Sequence, residues 1–224
     1  MNLRIDHLVI TCGSLDAGGK LIEQLLGVKM MPGGEHPRMG THNLLLRTGP
    51  QTYLEVISVN PLATPPDRPR WFQMDSLHSD SPPRLSTWVA QTDQIHDAAI
   101  QLDYDKGSIQ EMSRGDLKWH ITIPNDGRLA EGGCLPSLIQ WDDQRHPTQR
   151  LPDSEVTLKR LELFVPKDSR LRSLPRSPEI VIHLCKPLES PNLVAFLATP
   201  NGHISLSSLT ASRRRQRFNG NTVQ

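Results

Sequence analysis

Arg4-Ile5-Asp6-His7-Leu8-Val9 reads as a strand, and the chain writes it twice more, as Arg84-Leu85-Ser86-Thr87-Trp88-Val89 and Arg160-Leu161-Glu162-Leu163-Phe164-Val165. Repeats at so long a period fix the architecture before any single residue is interpreted. They also let the copies be compared position by position. His7 of the first copy becomes Thr87 in the second and Leu163 in the third. Only the first keeps a side chain suited to metal or proton chemistry, so a site built on this chain is expected to be asymmetric.

Outward from that strand, alternation puts Ile5, His7 and Val9 on one face and Leu8 and Ile10 on the other. Ser14 is placed to cap a helix carrying Leu15, Leu21, Ile22, Leu25 and Leu26, and Gly27 to end it, while Gly18-Gly19 should weaken its first turns. Pro32-Gly33-Gly34-Glu35-His36-Pro37 reads as a loop. Asn43–Arg47 and Tyr53–Val59 then form a hairpin about Thr48-Gly49-Pro50-Gln51. The unit is β-α-β-β-β. A second unit runs through a helix near Ile95–Leu102 to strands at Trp119–Ile123 and Leu135–Trp141, with Gln140 falling near the Glu55 position. A third ends in a hairpin of Leu193–Leu197 and His203–Ser207.

The expected fold is α+β: tandem β-α-β-β-β modules, with a third, degenerate module. The expected divisions are a first module at 1–60, a connector at 61–83, a second module at 84–145, a connector at 146–155, the third module at 156–209 and a disordered tail at 210–224. Trp71, Phe72 and Met74 give the first connector an apolar anchor.

With 224 residues, 36% hydrophobic and 22% charged, the chain has the profile of a globular protein with a sizeable core. A formal charge of +1 gives no reason to expect nucleic acid or a membrane surface as partner. No apolar run approaches the roughly 20 residues that span a bilayer. Cys12, Cys134 and Cys185 are odd in number and widely spaced, which suits buried reduced thiols and a cytoplasmic protein. The run Ser212–Arg217 reads as a solvated, frayed end.

His7 and Glu55 are the leading chemical pair. Each sits mid-strand among aliphatic residues, where a titratable group is costly to bury without a partner. If the first and last strands of the unit are neighbours, both groups point into one hollow. An imidazole and a carboxylate together suit Zn, Fe, Mn or Ni, and a plain buried His–Glu contact would look the same in sequence. His42 and Asn43 open the preceding strand and could orient a substrate carbonyl. Met112-Ser113-Arg114 sets a guanidinium between apolar segments, where it could clamp a carboxylate or phosphate. Trp141 and His146 leave the second unit's last strand, and His146 could serve as a third ligand or a proton relay.

Ile5-Asp6-His7-Leu8-Val9, then Gly33-Gly34-Glu35-His36-Pro37 with Met39-Gly40-Thr41-His42-Asn43, then Tyr53-Leu54-Glu55-Val56-Ile57, together resemble the glyoxalase-like domain family of the vicinal oxygen chelate superfamily. Leu135–Trp141 followed by His146-Pro147, and Met112-Ser113-Arg114, are similar to two further signatures of it. The resemblance implies curved mixed sheets around a cleft between paired modules, in which strand residues hold a divalent metal that chelates two oxygens of a small-molecule substrate. His7 and Glu55 fall on ligand positions and could also be the catalytic residues. His42, Asn43, Arg114, Trp141 and His146 would line the substrate pocket. The second module departs from the pattern with Thr87 and Gln140. The implied function is a lyase, isomerase or dioxygenase type enzyme; the alternative is a non-catalytic small-molecule binder or antibiotic-sequestering protein of the same fold. A homodimer is left open.

Overall fold

The structure, a computed structural model, describes residues 2–174, 177–185 and 189–208. The tail expected from residue 210, with its arginine run, lies outside the described residues, as does the last residue of the third unit.

β1 (Arg4–Thr11) leads into α1 (Leu15–Leu26). Ser14 Oγ accepts from the Ala17 N–H, and Gly27 ends the helix at φ 78°, its N–H donating to the Glu23 carbonyl. That left-handed turn is cheap only without a Cβ. Gly18 and Gly19 serve packing rather than merely weakening the helix. A Cβ on Gly19 would stand 2.4 Å from Leu44 Cδ1, and one on Gly18 2.5 Å from Cys12 Sγ. Their propensity cost, about 1 kcal/mol each, is offset by the close approach of helix to sheet.

β2 (Met31–His36), β3 (Thr41–Arg47) and β4 (Tyr53–Val59) complete the unit. β2 corrects the sequence reading, which made residues 32–37 a loop. It is an edge strand, where a proline forfeits no ladder hydrogen bond, and a register shift between Pro32 and Gly34 absorbs the irregularity.

The second unit repeats the plan with β5 (Arg84–Gln91), α2 (Ile95–Gln101), β6 (Ile109–Arg114), β7 (Leu117–Thr122) and β8 (Ser137–Trp141). Together the units build one eight-stranded sheet in the order β2-β3-β4-β1-β5-β8-β7-β6. In each, the first strand runs parallel to the last, and β1 meets β5 antiparallel at the centre. The sheet curls until its two edges touch. Arg38, just past β2, donates to Gln110 Oε1 at 3.3 Å and to the Glu111 carbonyl on β6.

Two cores follow from strand alternation. Leu8, Ile10, Leu54, Val56 and Trp88 pack with the helices on the outer face; Val9, Ile57, Val89, Ile121 and Ile139 line the inner face. A second sheet, of β9 (Thr157–Val165), β10 (Ile180–Leu184), β11 (Asn192–Thr199) and β12 (Gly202–Ser207), runs in the order β10-β9-β11-β12. Here the opening strand pairs parallel with the second rather than the last, and only a short turn at Arg170–Ser173 stands where the other units carry a helix. Its Leu161, Leu163, Leu193 and Ala195 join the outer core. The third module is degenerate in this sense: it seals the back of the main sheet. No helix among the described residues is long and apolar enough to cross a membrane.

Candidate active site

The inner face takes its chemistry from a bulge in β1. Ile5 pairs with Ala90 and His7 with Val89, so Asp6 has no partner on β5. A bulge breaks strict alternation. Ile5 therefore lies in the outer core, not beside His7 as expected, and Asp6 turns to the same side as His7. There Asp6 Oδ1 accepts from His7 Nδ1 at 2.7 Å, while Oδ2 accepts from Trp141 Nε1 at 2.9 Å and from His146 Nε2 at 3.2 Å. The Thr148 N–H donates to His146 Nδ1 at 3.3 Å, so the His146 proton sits on Nε2, facing Asp6.

Burial alone would raise the Asp6 pKa, but the hydrogen bonds from His146 and His7 overcome it and hold the carboxyl well below the usual range. Asp6 is thus an anion that keeps a proton on His7 Nδ1 and turns Nε2 into the cleft. Tyr53 stacks on the imidazole with ring centres 4.4 Å apart, which fixes its plane.

His7 Nε2 stands 3.6 Å from Glu55 Oε2. The other oxygen of Glu55 accepts from Asn43 Nδ2. Gly33 leaves room for that amide: a Cβ there would stand 2.1 Å from Asn43 Oδ1. Arg114 Nη1 in turn donates to Asn43 Oδ1 at 3.5 Å and to His36 Nε2 at 3.4 Å. Burial, then the Arg114 charge, pushes the His36 pKa down to about 3, so His36 is a neutral acceptor. Among the described residues the Arg114 guanidinium rests on neutral groups only, with no carboxylate in ion-pair range.

The structure therefore brings His7, Glu55, Asn43, Arg114, Trp141 and His146 into one connected network. It separates His42, which pairs with Ser58 on the outer side of the β3–β4 hairpin and bonds Ser58 Oγ at 2.9 Å. Odd-numbered Asn43 and Leu45 face the cleft, so His42 cannot. Asp6 and His36 escaped the sequence reading, the first hidden by the bulge and the second by the apparent loop. The Asp-His dipeptide inside a buried strand was the available signal.

The register also fixes which second-module residues correspond to these. Glu55 lies opposite Val9, and Ser137 opposite Val89. Ser137, not Gln140, is therefore the counterpart of Glu55. Gln140 Oε1 caps α2 from the other face, accepting from the Ile95 N–H at 2.9 Å. By the same ladders Asn43 corresponds to Ile121 and His36 to Met112. Thr87, the counterpart of His7, donates its hydroxyl to the Gly133 carbonyl at 2.9 Å.

A resident transition metal takes about four donors, commonly His, Cys or carboxylate. His7 and Glu55 supply two. The second module offers two hydroxyl residues, one of them already committed. Among the described residues no group of three or more His, Cys, Asp or Glu is arranged to hold an ion. The donor set does not fit a resident metal.

The cleft is tight, with a free volume of about 20 Å³, room for about one water, and is walled by His7, Glu55, Trp71, Trp119, Ile139 and Trp141, among others. Its walls are mostly aromatic, with the polar network at one end.

The family profile described as a glyoxalase-like domain matches residues 5–176. A Staphylococcus aureus protein described as hypothetical has a similar fold, at a TM-score of 0.50 and 15% identity, over 92% of this chain and 85% of that one. A Streptomyces coelicolor methylmalonyl-CoA epimerase, in complex with 2-nitronate-propionyl-CoA, aligns at a TM-score of 0.40 and 18% identity over 62% of this chain and 98% of that one. No curated protein matches the sequence.

Proposed function

The chain belongs to the glyoxalase-like domain family, and from that premise we propose that it is a small-molecule enzyme of the lyase or isomerase type, working by proton transfer at carbon. The observation that carries this reading is the line Asp6–His7–Glu55. A buried anion holds one imidazole nitrogen, and the other faces a carboxylate across 3.6 Å inside an enclosed, aromatic-walled space.

In the proposed reaction His7 Nε2 takes a proton from a carbon beside a carbonyl or carboxylate. The C–H electron pair moves onto the neighbouring oxygen, giving an enolate-type anion. Arg114, with no carboxylate partner among the described residues, lies where it can stabilise that charge and bind a substrate carboxylate. The proton then returns from His7 to the same or an adjacent carbon, or the anion expels a leaving group. Glu55 is the alternative base, since Asn43 occupies one of its oxygens and leaves Oε2 toward the cleft.

Zn, Fe, Mn or Ni at His7 and Glu55 would have two protein donors and would draw the rest of its shell from water and substrate. The dioxygenase branch, which needs a facial set of three protein ligands, is for that reason less well supported than proton transfer. The loss of polar donors from the second module supports a second reading, a non-catalytic binder. We also propose the divisions 1–60, 84–145 and 156–209 as the working units, and the cytoplasm as the location. Cys12 and Cys134, buried thiols whose pKa values burial pushes up to about 12, support that location. Cys185 is only half-buried.

The test is solvent exchange. Purified protein is incubated in D2O with a panel of small 2-oxo and 2-hydroxy carboxylates, and C–H to C–D exchange is followed by NMR, with metal content measured in parallel. Exchange that survives chelation and is lost in His7→Ala supports the enzyme reading. Tight ligand binding without exchange supports the binder.

A further inference from the structure

The connector between the first two modules is not spent on linking them. Trp71, Phe72 and Met74 are 4%, 5% and 0% exposed and pack into the inner-face core, and Trp71 and Phe72 are stacked with ring centres 5.2 Å apart. Holding them there strains the backbone. Phe72 and Gln73 have φ of 55° and 56°, a left-handed conformation that is unfavourable for residues with a Cβ. Burial of three large apolar side chains outweighs that cost. Two fastenings keep the shape: the Gln73 N–H donates to the Gly127 carbonyl at 2.7 Å, and Arg70 pairs with Asp75 at 2.6 Å.

Apolar burial does not explain why an indole is used. Trp71 Nε1 is buried and has no hydrogen-bond partner among the described residues, whereas the Trp88 indole donates to the Cys134 carbonyl and that of Trp141 to Asp6. A buried donor left unmet carries its full desolvation cost, which a phenylalanine would avoid. Trp71 lines the same cleft as His7 and Glu55. It also meets the His36 ring edge-on at 5.0 Å, and His36 in turn takes Arg114 Nη1 at 3.4 Å. The unmet N–H and the uncompensated guanidinium thus flank one neutral histidine.

We propose that Trp71 is a substrate-recognition residue, its indole N–H donating to an oxygen of the carboxylate that Arg114 holds. The inference rests on the anion-binding reading of Arg114 and adds that the substrate is a small carboxylate whose flat apolar body enters by parting the aromatic walls, which in the free protein leave room for about one water. The connector is then part of the binding site, and a donor unmet in the free protein finds its acceptor when ligand arrives.

Benzoate, the simplest flat apolar carboxylate, is the probe. In the ¹⁵N–¹H spectrum of the wild-type protein the Trp71 indole resonance, identified by its loss in Trp71→Phe, is expected to move downfield on benzoate saturation. Trp71→Phe is expected to weaken benzoate binding about tenfold, as loss of a hydrogen bond to a charged group predicts. A purely structural tryptophan would leave benzoate binding unchanged, whatever the melting temperature of the free variant, which lost packing lowers in either case. If Trp71→Phe does not fold, the resonance is assigned through backbone connectivity and its shift in wild type decides alone. Arg114→Gln separates the two layers. Weakened binding there with an unmoved Trp71 resonance overturns this inference and leaves the anion reading standing. Benzoate that does not bind wild type, or binds both variants as it binds wild type, overturns both.

Discussion

The first and second modules share strand order, helix placement and ladder register, yet differ at every polar position that faces the cleft. His7, Glu55, Asn43 and His36 in one correspond to Thr87, Ser137, Ile121 and Met112 in the other. The backbone of a duplicated unit is kept because hydrophobic alternation and turn geometry keep it. Its side chains on the cleft face are free to diverge, because one complete set is enough. Here the first module supplies the buried ionisable groups His7 and Glu55, and the second supplies Trp119, Ile121, Ile139 and Trp141 as wall, plus Arg114 from its edge strand. The difference teaches that pseudo-symmetry in the fold says nothing about symmetry in the chemistry.

The largest expected effect tests that division directly. His7→Ala should lower the deuterium-exchange rate by about 10²–10⁴-fold, the usual scale for losing a general base. Thr87→Val, its counterpart, should leave the rate essentially unchanged. Comparable losses in both would mean the two modules contribute alike, and the asymmetry argued above would be wrong.

A smaller loss is expected from the residue that orients the base. Asp6→Asn should slow exchange about 10- to 100-fold while leaving the affinity for substrate close to wild type. Ser86→Ala, at the matching place in the second copy, should do neither. Kinetic constants measured for the two variants side by side separate positioning from general destabilisation.

The smallest effect is on stability. An unfolded-state histidine titrates near about 6.5, whereas burial and the Arg114 charge place His36 at about 3. Protons therefore favour the unfolded chain between those values, and stability is lost as pH falls through that window and is intact above it. His36→Gln should flatten the part from pH 6.5 to 4.5 by roughly 2 kcal/mol, read from urea midpoints. The further loss from Asp6, whose carboxyl is depressed relative to an unfolded value near about 3.9, should remain below that pH. Met112→Leu at the matching position should leave the profile unaltered.

The paired modules were legible because strand, cap and helix recur together: Ser14 and Gly27 bound α1 where the sequence places them. The hollow shared by His7 and Glu55 followed from alternation along β1 and β4. What escaped the reading escaped for local reasons. Asp6 sits at a bulge, which periodicity cannot register. His36 lies on an edge strand whose prolines and glycines imitate a loop. Ser137 was overlooked because the later strands of the second module carry no repeat of the Tyr53–Val59 pattern, so only the hydrogen-bond ladder could align them. The apolar anchor of the first connector was visible in Trp71, Phe72 and Met74, but its position over the cleft depends on two left-handed residues that no composition signal announces.

Gly33 is glycine for want of room and not for want of backbone freedom: the place its methyl would take belongs to the Asn43 amide. Two positions ten residues apart in the chain are thereby bound into a single inheritance. A methyl at 33 would also stand 2.7 Å from Leu45 Cγ, so a lineage could accept alanine there only by giving way at both 43 and 45, whereas one that keeps the carboxamide must keep the gap beside it.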